Sequence, residues 1–288
     1  MDHEFTFRQL KALDLTDMYL AFLSAFSDYP IDFKLSKEQF VRKFVEKLKI
    51  DFGLSVAAFD EENLCSFIFT SVNYYEGKLT AYNGGTGVRP PYRGKKLTEG
   101  MYEYLTPLLH DRGIKQCVLE VLTENQRAIK AYTNVGFTKS KTYKCFRLAS
   151  PYKLKRRVDF PIKIYAVKEP TWHLYERFAT DDPSFLDCSQ MISQNLANES
   201  IIEAHLDGAC VGYAIFQSAA GRVSQIAVDN KFRQHGIGAA LLNYMYELSI
   251  QKNLTVININ IEAKETLTFF ERLGFENQIN QYEMVLTL

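Results

Sequence analysis

The sequence predicts an α/β (α+β) chain of two tandem domains, each a mixed, mostly antiparallel central sheet flanked by helices. Three observations lead there. The chain has 288 residues, about two domains at roughly 150 residues each. A spaced pattern of strand, turn, helix, strand and helix over 84–137 recurs about 140 residues later over 224–275, the mark of an internal repeat. Each copy is preceded by hairpin signals. Two anchors keep nearly the same register, since Arg93 to Phe137 is 44 positions and Arg233 to Phe275 is 42.

The first half opens with amphipathic helical runs at 14–27 and 36–49. FGLSVAAFD (52–60), the polar turn Glu61-Glu62-Asn63 and LCSFIFTSVNYY (64–75) read as antiparallel strands, continued after Glu76-Gly77-Lys78 by LTAYNGG, and GGTGV (84–88) leads into RPPYRGKKL (89–97). Leu97, Met101, Leu105 and Leu108 recur at helical spacing. Pro107 costs a helix interior about 3 kcal/mol, so a kink or an early end is expected there. QCVLEVL (116–122) is a β-rich run that closes a βαβ crossover.

The second half repeats the plan. Helical runs at 171–179 and 184–194 precede IIEAHL, the turn Asp207-Gly208 and ACVGYAIFQ, then SQIAV (224–228), a helix marked by Leu241, Met245 and Leu248, and TVININI (255–261). The basic stretch KLKRRVDFPIK (153–163), followed by a strand-like run, is the linker candidate. It predicts domains at 1–152 and 164–288, with the boundary near residue 155.

Lys plus Arg number 34 and Asp plus Glu number 34, so no global field draws the chain to nucleic acid or a membrane surface. The five cysteines, Cys65, Cys117, Cys145, Cys188 and Cys210, are scattered, without a C-x-x-C pair or a His at ligand spacing. That predicts free thiols in a reducing compartment and no metal centre. The segment MDHEFTFRQL lacks an apolar core of signal-peptide length, and no stretch supplies the roughly 20 apolar residues of a membrane span. The expectation is a cytoplasmic protein.

Asn125, Ala128, Tyr132, Gly136 and Phe137 fill the pattern N-x-x-A-x-x-x-Y-x-x-x-G-F, and Val88, Pro90 or Pro91, Tyr92, Arg93 and Gly94 lead into the preceding helix. In the second half, Arg233 to Gly238 read R-x-x-G-x-G. In this order of elements, both halves resemble the GNAT acetyltransferase superfamily. The resemblance implies acetyl-CoA as co-substrate and direct attack of an amine on its thioester. It also implies coenzyme-binding roles for Val88, Arg93, Gly94, Lys95, Lys96, Leu97, Thr98 and Asn125, and for Val228, Arg233, Gln234, His235, Gly236, Ile237 and Gly238.

The loop chemistry rests on a helix amino terminus, whose first N–H groups lack intrahelical partners and whose dipole favours a diphosphate. Gly236 and Gly238 let such a ligand approach the main chain. In the first half the aligned residues are Lys96 and Thr98, so both glycines are missing. Lys95 and Lys96 either compensate by charge or solvate an exposed turn.

The departing sulfur needs a proton donor, and Tyr132 is the expected general acid. Asn125 is expected to cap the closing helix, and the motif also suggests contact with the pantetheine arm. The second half has Ala263, Thr266 and Phe270 where Asn125, Ala128 and Tyr132 align, and Phe270 has no proton to give. The first domain is therefore expected to carry the chemistry, and the second to bind coenzyme A weakly, bind it without turnover, or only complete the fold. Glu120 and Glu76 are candidate general bases beside a water chain, and strand alternation leaves their orientation open. Tyr74, Tyr75 and Tyr82 are candidate pocket residues, and His110 reads as packing or surface.

The resemblance implies a primary amine of a small molecule or peptide as the acceptor. The repeat can supply a pseudo-dimer within one chain, so a monomer and a homodimer both fit. Two other readings are a dinucleotide site, from Gly236-x-Gly238 with Glu262 after the next strand, and a non-catalytic acyl-CoA-binding or regulatory protein. Leu241 at the third glycine position and the antiparallel strands upstream weigh against the dinucleotide site.

Overall fold

A computed structural model describes residues 4–28 and 34–288. In chain order the first half contains β1 (Thr6–Gln9), α1 (Leu15–Ala25), α2 (Lys37–Val41), β2 (Val56–Asp60), β3 (Asn63–Tyr75), β4 (Lys78–Val88), α3 (Leu97–Asp111), β5 (Gln116–Leu122), α4 (Gln126–Val135) and β6 (Thr138–Leu148). The second contains β7 (Lys163–Val167), α5 (Trp172–Phe178), α6 (Ser189–Gln194), β8 (Ser200–Leu206), β9 (Ala209–Gln217), β10 (Arg222–Val228), α7 (Ile237–Leu248), β11 (Thr255–Asn260), α8 (Lys264–Arg272) and β12 (Phe275–Thr287). The chain forms two units: Met1–Ser140 with Tyr282–Leu288, and Lys141–Gln281.

In the first unit β1 to β4 pair antiparallel in sequence order, and β5 adds parallel to β4. Helix α1 buries Met18, Ala21, Phe22 and Ala25, the i, i+3, i+4, i+7 stripe of an amphipathic helix. Ser36 and Gln39 form a capping box at the start of α2, each side chain accepting from the other's backbone N–H. A π-helical stretch, Arg42–Lys47, carries the helix on. Phe22, Phe40 and Phe44 then meet Phe67 and Phe69 of β3 ring to ring.

Helix α3 packs Leu97, Met101, Tyr102, Leu105 and Leu109 into a core with Cys117, Leu119 and Val121 of β5. It runs through Pro107 to Asp111 instead of ending early. Pro107 is exposed, and so is Glu103, whose carbonyl loses its helical donor. Water can satisfy that carbonyl while the buried face stays intact.

The second unit is built alike: β7 to β10 pair antiparallel in sequence order, β11 adds parallel to β10, and β6 pairs antiparallel with β11. Its core gathers Ile237, Leu241, Leu242 and Met245 of α7 with Val223, Val256 and Phe270.

The units differ from the division at 153–163 in one respect. Phe146, Leu148 and Leu154 lie in the second unit's core, because β6 lies in register with β11, Phe146 opposite Val256 and Tyr143 opposite Asn260. Conversely, β12 is the neighbour of β5. Met284 enters the first unit's core, and Tyr75 Oη donates to Glu283 Oε2 at 2.9 Å. Each sheet is thus completed by a strand from the other copy, a pairing that periodicity within one copy does not reveal.

Met284 is 1% exposed, so Met284→Ala should destabilise the first unit by about 2–5 kcal/mol. Urea unfolding followed by circular dichroism measures the loss. A change below about 0.5 kcal/mol would mean that the borrowed strand contributes nothing to that core.

Candidate active site

Strands β4 and β5 are in parallel register only over Thr80–Tyr82 and Gln116–Val118. Beyond those residues β4 continues to Val88 and β5 to Leu122, so the two strands part. In the second unit β10 and β11 pair only at Arg222–Val223 with Thr255–Val256 and part in the same way. A split between parallel strands leaves main-chain donors and acceptors facing a gap, suited to an extended ligand that carries amides.

The turns entering α3 and α7 share a construction. Arg93 Nε donates to the Val88 carbonyl at 3.3 Å, and its Nη2 donates to the Ala25 carbonyl at the end of α1 at 3.0 Å. Arg233 repeats both bonds, to Val228 at 3.0 Å and to Phe178 at the end of α5 at 2.8 Å. These cations meet helix carboxyl termini, where the dipole favours positive charge. The side chains the motif assigns to coenzyme binding therefore brace the turn. Arg93 also holds Asp28 in a bidentate pair at 2.6 and 2.8 Å, and that hydrogen bond lowers the Asp28 carboxyl to about 2.

The backbone path of the loop survives the sequence difference. Gly94 and Lys96 have φ of 77° and 54°, and the aligned Gln234 and Gly236 have 66° and 84°. Each turn thus uses two left-handed residues, with the glycine at alternate places. Lys96 keeps the conformation that the missing glycine would supply, at a cost of about 1–2 kcal/mol. Lys95 Nζ lies 5.4 Å from the centroids of both Phe5 and Tyr92. Leu97 and Thr98 are buried at the start of α3.

The second loop lies against its own chain. A Cβ on Gly236 would stand 2.3 Å from the Arg157 carbonyl oxygen, and one on Gly238 would stand 2.8 Å from the Phe269 ring. Asp159 N–H donates to the His235 carbonyl at 3.1 Å, Asp159 Oδ2 lies 3.0 Å from His235 Nδ1, and Phe160 packs on Phe232 and His235. Residues 157–160 thus run along the R-x-x-G-x-G turn. Ile237 is buried and Val228 packs against the core. The two glycines that mark a ligand loop in sequence here admit Arg157 and Phe269. By contrast, Lys96 of the first loop, at the position of Gly236, is exposed.

Helix α4 follows β5 in the chain and packs on α3. The Asn125 side chain accepts from the Ala128 N–H at 3.2 Å as an N-cap. Tyr132, 8% exposed, lies in the same core as Tyr102 and Cys117, and Asn83 of β4 donates to Tyr102 Oη at 2.8 Å. Burial pushes the Tyr102 phenol well up and the Cys117 thiol to about 12. The aligned Phe270 sits instead among Phe146, Phe269 and Phe275.

The structure also resolves which way Glu120 points. Cys117, Leu119 and Val121 face α3 and α4, so Glu120 faces the opposite side of the sheet, where it accepts a hydrogen bond from the Tyr82 hydroxyl. Tyr75 is buried against Glu283, while Tyr74 is exposed. Glu76 is exposed in the β3–β4 turn and His110 exposed in the last turn of α3. The Tyr75–Glu283 pair and the Asn83–Tyr102 bond escape sequence reading because they join distant segments.

Lys96→Gly should raise stability by up to about 1 kcal/mol, since relief of left-handed strain exceeds the added chain entropy. Gly236→Ala should lower it by about 1–3 kcal/mol through the clash with Arg157. Urea titration of both variants checks the opposite signs, and a neutral Gly236→Ala would refute the close approach.

The comparisons with known proteins agree with this geometry. Residues 16–137 match the profile described as "Acetyltransferase (GNAT) family", and 197–277 the one described as "Acetyltransferase (GNAT) domain". No curated protein matches the chain in sequence. Among solved structures, a tandem GNAT protein from the clavulanic acid biosynthesis pathway has a TM-score of 0.73 at 14% identity, covering 99% of this chain and 98% of that one. A GCN5-related N-acetyltransferase from Sphaerobacter thermophilus has a TM-score of 0.70 at 15% identity, covering 100% and 96%. The glucosamine N-acetyltransferase region of a fungal multi-domain β-N-acetylglucosaminidase has a TM-score of 0.75 at 15% identity, covering 99% of this chain and 38% of that one. With the split sheet, the paired turns and both profile matches in place, the chain belongs to the GNAT acetyltransferases as a tandem of two such domains.

Proposed function

We propose that the first unit transfers an acetyl group from acetyl-CoA to a primary amine of a small molecule or peptide, and that the second unit completes the fold without binding coenzyme. The observation that carries this reading is the contrast between the two loops. In the first, Lys96 stands exposed at the position of Gly236, whereas residues 157–160 and Phe269 press on the second. The split between β4 and β5 and the amino terminus of α3 fit an extended coenzyme with an anionic diphosphate. When bound there, the coenzyme supplies an activated acyl group on sulfur.

Tyr132 and Glu120 lie toward opposite faces of the sheet, which suits a transfer in which one group gives a proton and another takes one. The amine nitrogen forms the new bond to the acyl carbon as the carbon–sulfur bond breaks. The Tyr132 phenol gives its proton to the departing sulfur, and Glu120, fixed by Tyr82, takes the proton released by the amine. Backbone N–H groups at 96–98, with Lys95 and Lys96 nearby, receive the diphosphate. The five cysteines are free and four of them buried, in keeping with a reducing, cytoplasmic setting. No described helix is long and apolar enough to cross a membrane.

Tyr132→Phe should lower kcat by about 10²–10⁴-fold with coenzyme A affinity unchanged. Thiol release with a panel of small-molecule and peptide amines measures the rate, and calorimetry the affinity. Wild-type turnover in this variant would remove Tyr132 as the acid. Calorimetry should also count one coenzyme A per chain; two would mean that the second loop opens.

A further inference from the structure

The β8–β9 hairpin of the second unit gathers three metal-ligating side chains that the acetyl-transfer reading leaves unused. His205 and Cys210 are direct cross-strand partners, and Glu203 lies two residues before His205 on β8. All three therefore project from one face of the hairpin. Their ligand atoms lie within 4.8 Å of one another. The sequence expectation of no metal centre misses them because the spacing, E-x-H-x4-C, becomes a cluster only when the Asp207-Gly208 turn folds the strand back.

The surrounding hydrogen bonds are those of a supported site. His205 Nδ1 lies 3.3 Å from the Gly208 carbonyl oxygen, and Nε2 lies 2.7 Å from Glu203 Oε2. A carbonyl only accepts, so this contact is a hydrogen bond in the tautomer with its hydrogen on Nδ1, which leaves a lone pair on Nε2. Nε2 then faces a carboxylate oxygen, and the contact is favourable only with a proton or a metal ion between the two acceptors. The other carboxylate oxygen, Oε1, accepts from Tyr175 Oη at 2.6 Å. That phenol is itself fixed by a stacked contact with Tyr213 at 3.8 Å. A histidine whose second nitrogen meets a backbone carbonyl, and a carboxylate held by an outer hydrogen bond, are the usual outer-sphere arrangements around a metal.

We propose that Glu203, His205 and Cys210 bind one zinc-class divalent cation. One carboxylate oxygen, one imidazole nitrogen and one thiolate form the mixed set that zinc accepts, at roughly 2.0–2.3 Å. Reaching these distances requires Nε2 and Oε2 to spread by roughly half an ångström. Coordination displaces the thiol proton of Cys210, which now donates to the Gly212 carbonyl at 3.4 Å, and the proton between His205 and Glu203. Three protein ligands leave a fourth position for water. His205 also lines a cleft of about 380 Å³ with Pro161, Lys163, Tyr165, Asp207 and Gly208. Lys163 and Asp207 carry opposite charges there, so the cleft does not repel the cation.

The test titrates the metal-free full-length chain with zinc chloride by calorimetry, and with cobalt chloride by absorption. One zinc per chain is expected, together with a thiolate-to-cobalt charge-transfer band in the near ultraviolet. Trp172, the sole tryptophan, packs edge-on to Tyr175 at 6.0 Å, so cobalt should quench its fluorescence. Cys210→Ser should abolish the band and His205→Ala should weaken zinc binding by at least 100-fold, both with unchanged circular dichroism. Tyr175→Phe should cost about 10–100-fold in affinity while keeping the band. Zinc binding weaker than about 1 mM, or zinc binding indifferent to both ligand substitutions, overturns the site.

Discussion

The short parallel pairing of β4 with β5 governs the first unit. Two parallel strands that separate after three residues cannot satisfy one another, so everything around the gap serves to keep it open and ordered. Asn83 at the parting point donates to Tyr102 of α3, tying the first strand to the helix that must present its amino terminus. Arg93 ties the same turn to the end of α1. Asn125 then starts α4 where β5 ends, and α4 buries Tyr132 in the core with Tyr102 and Cys117.

The two copies solve one packing problem in opposite ways. At the aligned positions the first has Thr98 and Ala131, and the second has Gly238 and Phe269. The small residue sits on the loop helix in one case and on the closing helix in the other. Phe269 reaches the backbone of α7 only because Gly238 has no side chain. The glycine pattern that resembles a coenzyme loop most closely is thus the one whose space is taken by the protein itself. A motif reports room near a backbone; the neighbours decide what fills it.

Much of this was legible in the sequence. The repeat, the hairpins, the crossover helices and the N-cap at Asn125 follow from local periodicity and turn chemistry, which do not depend on distant partners. Three things were not legible for the same reason in reverse. The face chosen by Glu120 depends on which side of β5 meets α3, and the filling of the second loop depends on residues 157–160, some 80 positions earlier. The allegiance of β6 and β12 is a choice between two chemically similar sheet edges. Pro107 is a milder case, since its helix continues because the carbonyl it strands belongs to an exposed residue.

The exchange of the last strands also bears on how the chain is made. The first unit's sheet needs residues 282–288 beside β5, yet β5 itself is complete by residue 122. At about 5–20 residues per second on the ribosome, roughly 8–33 s separate these two events. Throughout that interval the nascent first half presents an unfinished β edge, the kind of surface that recruits holding chaperones or pairs with a neighbouring nascent chain. Synthesis order, which a contiguous pair of domains could ignore, becomes part of the folding problem for this one.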